Sequence, residues 1–119
     1  MRFENAVGLA AGLDKEGQAM PAEFRGKKFD DPVVKQGYLN YCRRAIEFFN
    51  PQWVAIGIES NELYHHSKAD WPAYAALHRY IYGELKKTQP ELPVFASFTL
   101  HNMLNPGWKD RAEMLALVK

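Results

Sequence analysis

The sequence has one cysteine, no apolar run near the length of a membrane span, and almost no surplus of either charge. A lone thiol has no partner for an internal disulfide, and Cys42 sits on the apolar face of an expected helix, which suits a buried structural residue. With 15 basic and 14 acidic residues spread along the chain, the formal charge is +1. Neither nucleic acid nor an anionic membrane is therefore expected as a partner. There is no secretory apolar segment, so the chain reads as soluble and cytoplasmic, with a leader ahead of Met1 left open. His65 and His66 are adjacent and have no cysteine or spaced acidic residue near them, so no metal site is expected. No cofactor is expected either. What is present is a globular composition: 119 residues, 47% hydrophobic and 13% aromatic, one domain's worth of chain over residues 1–119.

The most informative stretch is Trp53 to Glu62, WVAIGIESNE. Trp53 to Ile58 is almost continuously apolar and β-friendly, the pattern of a strand buried on both faces of a parallel sheet. Asn50 and Pro51 close the helical pattern before it. Chemistry in α/β folds sits just past the carboxyl ends of such strands. Glu59, Ser60, Asn61 and Glu62 fall there.

Before this stretch, Ala6 to Leu13 (AVGLAAGL) predicts a short strand of small residues, followed by a long aperiodic connection from Asp14 to Asp30. Asp31 and Pro32 give a cap and a proline at the first helical position. Val34, Tyr38, Tyr41, Cys42, Ala45, Ile46 and Phe49 then mark an amphipathic helix to about Phe49. After the central strand, Leu63 to Ala69 reads as a polar connection holding Tyr64, His65, His66 and Lys68. Asp70 and Pro72 open another helix, with Tyr74, Leu77, His78, Ile81 and Leu85 on one face and Pro90 as its stop. Leu92 to Leu100 predicts a third apolar strand, and Asn105 and Pro106 a third helix running through Trp108, Ala112, Leu115 and Ala116 to Lys119.

Three successive β/α units with parallel strands make part of either an open doubly wound sheet or an eight-stranded barrel. A full barrel takes about 250 residues. The expected fold is therefore α/β, a partial (β/α) TIM barrel whose exposed strand edges favour a homo-oligomer.

The run from Arg25 to Leu63, RGKKFDDPVVKQGYLNYCRRAIEFFNPQWVAIGIESNEL, together with WPAYAALHRYIYGELKKTQPELPVFASFTLH, resembles the middle of barrel glycoside hydrolases related to clan A, including galactanase-like proteins. In that family the fourth strand ends in Asn-Glu and the glutamate is the general acid/base. The resemblance implies that this chain holds roughly strands three to five, without the seventh strand that supplies the nucleophile. It offers two acid/base candidates, both departing from the family pattern: Glu59, preceded by Ile58 where the family has Asn, and Glu62 of the preserved Asn61-Glu62 pair. Glu59 is favoured for its closeness to the strand end. Such a group must be protonated near neutral pH to donate to the glycosidic oxygen, and desolvation is the means of raising its pKa. Asn61, Tyr64, His101, Asn102 and Trp108 are the candidate contacts to a carbohydrate, with Trp71 a further candidate stacking platform, although core packing is the commoner role of such tryptophans.

A second, local resemblance covers Phe3 to Gly17, FENAVGLAAGLDKEG, which looks like the flavin-binding entry motif of dihydroorotate dehydrogenases. It implies FMN contacts from Ala10, Ala11, Gly12 and Lys15. Three functions therefore stand side by side: a hydrolase-like fragment incomplete as a monomer, a non-catalytic carbohydrate-binding or self-associating fragment, and a flavin binder.

Overall fold

In a computed structural model of the chain, residues 22–105 and 110–118 are described. Helix α1 spans Pro32–Phe49, as its sequence predicts. The Asp31 carboxylate accepts a 2.9 Å hydrogen bond from the Val33 amide, satisfying one of the amides that the first helical turn leaves open. Asn50 ends the helix in the left-handed region at φ 47°, returning its amide to the Ile46 carbonyl. Strand β1 is Val54–Gly57, helix α2 is Asn61–His66, and a 3-10 turn over Lys68–Asp70 leads into helix α3, Trp71–Thr88. Asp70 does not cap α3 with its side chain; its carboxylate instead takes the hydroxyl of Ser67. At the far end, the Lys86 ammonium donates to the carbonyls of Pro90 and Leu92, which fastens the chain as it turns toward the next strand. Strand β2 is Val94–Ala96, followed by the short helices α4, Leu100–Leu104, and α5, Arg111–Leu117.

Strands β1 and β2 pair in parallel, with Val54 beside Val94, Ala55 beside Phe95, and an irregularity before Gly57 meets Ala96. Val54, Ile56 and Val94 face α1 and α3, burying Leu39, Cys42, Ile46, Leu77, Ile81 and Leu85 in one core. That burial supplies most of what holds the helices to the sheet, roughly 1.5–3 kcal/mol for each large side chain. Burial also pushes the Cys42 thiol up to about 12, so it is an inert packing group. A second, smaller core joins Trp71 and Ala75 of α3 to Met114 and Leu117 of α5, with Tyr64, Tyr74, Phe98 and Met103 around it.

The expected partial TIM barrel of three β/α units is overturned. Among the described residues the sheet has two strands accompanied by five α-helices, an α/β arrangement but not a run of three such units. The predicted strand Ala6 to Leu13 lies outside the described residues. Leu92 to Leu100 yields three strand residues: Pro93 has no amide to give, and from Ser97 onward the polar groups turn aside to the loop after β1. The expected strand from Trp53 to Ile58 loses both ends, and these two residues are 43% and 42% exposed. The second face of the sheet is covered only in part: Ala55 is buried there. Phe95 is 39% exposed on the face away from α1 and α3, with its ring centroid 5.7 Å from that of Trp53.

Two further expectations shift. The polar connection after β1 is helical, so Glu62, Tyr64, His65 and His66 ride on α2. The expected C-terminal helix is met by α5 over Arg111–Leu117, its first residues lying outside the described ones, while α4 over Leu100–Leu104 is a helix that the sequence reading did not expect.

Candidate functional site

The polar rim is built from the turn between β1 and α2 and the turn after β2. It begins at Gly57, where an added Cβ would stand 2.1 Å from the Tyr74 hydroxyl and 2.5 Å from the Ser60 hydroxyl. Only glycine lets these two hydroxyls meet, at 2.6 Å. Burial raises the Tyr74 pKa above its ordinary value, against the opposing bond to Ser60, so the phenol stays protonated.

Two residues later Glu59 adopts φ 50°, a left-handed conformation that non-glycine residues avoid. Four hydrogen bonds hold it there. The Glu59 amide donates to Ser97 Oγ (3.0 Å), the Ser60 amide to the Ser97 carbonyl (2.9 Å), the Ser97 amide to the Gly57 carbonyl (2.8 Å) and the Glu62 amide to the Glu59 carbonyl (2.9 Å). The Glu59 side chain stands exposed at the tip of this strand-turn-helix.

Helix α2 sorts its polar residues by face. Asn61 and His65, four apart, turn inward, while Glu62 and His66, also four apart, turn outward. Asn61 is fully buried and uses both ends of its amide: Nδ2 donates to the Thr99 carbonyl (2.9 Å) and to Asp110 Oδ2 (3.1 Å), and Oδ1 accepts from the Thr99 amide (2.7 Å). That pattern fixes the amide's orientation. Asp110, also fully buried, is bonded through the same Oδ2 to His65 Nε2 at 2.9 Å. Glu62, a third exposed, accepts from Asn102 Nδ2 through one oxygen and lies 3.4 Å from His66 Nε2 through the other.

Partial burial alone would lift the Glu62 carboxyl, but the Thr99 hydroxyl, Asn102 and His66 outweigh it and hold the group below the usual carboxylate range. No bond from that hydroxyl meets hydrogen-bond geometry, so its effect on Glu62 is that of a nearby dipole. An expectation of a carboxyl raised by desolvation therefore does not apply to Glu62. It is an ionised base or counter-charge at neutral pH, not a proton donor.

No protein-family profile matches the chain, and comparison with curated proteins and with solved structures returned no significant match. The site has to be read from its own geometry.

Of the sequence-predicted residues, the fold places Asn61 and Glu62 close after Glu59 in two separate sets of bonds, Asn61 with Thr99 and Asp110, and Glu62 with Asn102 and His66. Asn61 and Asn102 are fully buried, so they organise the rim from beneath. Tyr64 packs edge-on against Trp71 and His65, toward the second core. Trp71 is 5% exposed and is core, not a stacking platform. His101 is exposed on α4, and Trp108 lies outside the described residues, as do Ala10, Ala11, Gly12 and Lys15.

Sequence reasoning missed Ser97, Thr99 and Asp110. Asp110 alone left a trace, since Met114 and Leu117 follow it at helical spacing. Among the described residues no three His, Cys, Asp or Glu side chains are grouped as metal ligands, and no helix is long and apolar enough to cross a membrane. A cavity of about 440 Å³ lies between the C-terminal ends of α1 and α3, lined by Arg43, Ile46, Glu47, Leu85 and Leu92 among others. It is at the amino ends of the strands, away from the polar rim, and carries none of this chemistry.

Proposed function

We propose that this rim acts on glycosidic bonds, with Glu59 as the acid/base and Glu62 as the ionised carboxylate beside it. The observation that carries the reading is the Glu59 turn, held at φ 50° at the carboxyl end of a parallel strand by the Ser97 amide, carbonyl and hydroxyl; the side chain itself is exposed, so the desolvation that a proton donor requires would have to come from the bound sugar. Strained backbone kept in place by surrounding bonds is a mark of functional positions. Glycoside hydrolysis needs one carboxyl that donates and one that stays ionised. The lowered pKa of Glu62 and its bonds to Asn102 and His66 fit the second role. The resemblance of the surrounding sequence to clan A glycoside hydrolases points to the same substrate class.

A second reading, carbohydrate binding without turnover, is favoured by one observation: Glu62 already has partners for both its oxygens, which suits recognition of sugar hydroxyls as much as catalysis. Self-association belongs to either reading, since Trp53 and Phe95 leave an apolar face of the sheet exposed. A screen of aryl glycosides with poor leaving groups, run beside a binding titration with the parent sugars, separates the two. Turnover supports the hydrolase, saturable binding without turnover supports the binding module, and neither response removes both.

A further inference from the structure

We propose that the cavity between the C-terminal ends of α1 and α3 binds a free α-amino acid with an apolar side chain. It measures about 440 Å³, within the range of small-molecule sites. Its floor is apolar: Ile46, Pro51 and Leu85 are buried and Leu92 is half-buried. Two side chains of opposite charge, Arg43 and Glu47, stand in its wall. Four residues apart on α1, they are close enough to pair, with Cβ atoms about 5–6 Å apart. They do not pair with each other.

Each instead keeps a charge that the fold leaves unanswered. Arg43 reaches across to α3, where its guanidinium lies 3.7 Å from Glu84 Oε2, beyond hydrogen-bond length. Glu84 also takes the Lys87 ammonium through Oε1, so two cations share one anion and a positive charge is left over. The Glu47 carboxylate makes no ion pair or hydrogen bond among the described residues. It lies in the last turn of α1, at the negative end of the helix dipole, and that turn has no basic residue. An ammonium is therefore favoured beside Glu47 and a carboxylate beside Arg43, whose forked N–H groups match carboxylate oxygens in pairs. A zwitterion answers both at once. An α-amino acid carries the two groups on one carbon and leaves its side chain to cover the apolar floor, whereas a simple amine would leave Arg43 unanswered and a simple acid Glu47. Both charged groups reach water, so binding is weak, with Kd on the order of 1 mM. The inference is independent of the hydrolytic reading, since the cavity lies at the opposite end of the strands from Glu59.

The test titrates the whole chain calorimetrically with L-leucine, with L-leucinamide, which lacks the carboxylate, and with 4-methylpentanoate, which lacks the amine. Saturable binding of leucine is expected, with both analogues and glycine weaker by about tenfold or more. Arg43→Gln should weaken leucine by a similar factor and leave leucinamide unchanged. Glu47→Gln should weaken leucine and leave 4-methylpentanoate unchanged. Neither side chain is buried, so both variants should fold, which urea unfolding checks. No saturable binding of leucine up to roughly 20 mM overturns the proposal. So does leucinamide or 4-methylpentanoate binding as tightly as leucine, which would make the cavity a site for a plain cation or anion, and so does an unchanged leucine affinity in either variant.

Discussion

Glu59 offers the sharpest test, because stability and function should respond to its substitution in opposite directions. Its φ of 50° costs an L-residue on the order of 1 kcal/mol, which glycine does not pay. The side chain is exposed and makes no side-chain hydrogen bond among the described residues, so truncating it forfeits little. Glycine in turn loses more chain entropy on folding, which offsets part of the relief. Glu59→Gly should therefore unfold in urea at equal or higher stability, by about 0–1 kcal/mol. Glu59→Gln keeps the backbone and should lie within about 0.5 kcal/mol of the parent. Both should lower turnover of aryl glycosides by about 10²–10⁴-fold, the usual contribution of a general acid/base. A Glu59→Gly chain destabilised by more than about 1 kcal/mol would mean that the turn depends on the side chain and is not strained. Full activity in Glu59→Gln would remove the residue from the chemistry.

Asn61→Ala should cost about 3 kcal/mol or more in urea unfolding, since it breaks three hydrogen bonds and strips one donor from buried Asp110; a loss below about 1 kcal/mol would contradict the network. Burial, with a smaller push from Arg79, lowers the His78 pKa, so the unfolded chain binds its proton more readily than the folded one. This contribution to stability is complete above the ordinary histidine pKa of 6.5 and is lost as pH falls through the folded value; His78→Gln should flatten that slope, and an unchanged slope would refute the assignment. Glu62→Gln should likewise remove a loss of stability that begins as pH falls toward 4.5, because the folded carboxyl titrates below that value. In light scattering the parent chain is expected above monomer mass, with Trp53→Ser combined with Phe95→Ser returning it to monomer; a monomeric parent refutes association through that face.

Helix α1 was legible because every local signal agrees: the Asp31-Pro32 start, apolar residues at helical spacing, and a terminating Asn50. Helix α3 was legible for the same reason, although its predicted cap proved to serve Ser67. Helix α2 was hidden because the residue it buries, Asn61, is polar, and six residues carry too little periodicity to outweigh that. Strand β2 was overextended because apolar character continues through Phe98 and Leu100 while the hydrogen bonding does not; Phe98 belongs to the second core, and Leu100 already starts α4. At the site, Glu59, Asn61, Glu62 and Asn102 were named from the strand end and the family resemblance. Ser97, Thr99 and Asp110 act across 38 to 49 residues of sequence, and no local pattern announces such pairings.

The contact at Gly57 reaches beyond this one molecule. Because two hydroxyls occupy the space a side chain would need, glycine at this position and tyrosine seventeen residues later form one unit of inheritance. A related chain that gains a side chain at the position of Gly57 should also have lost the hydroxyl at the position of Tyr74. Gly-x-Glu-Ser-Asn followed by that tyrosine is thus a search pattern with a steric reason behind it, and chains that share it should also share the bent turn carrying Glu59.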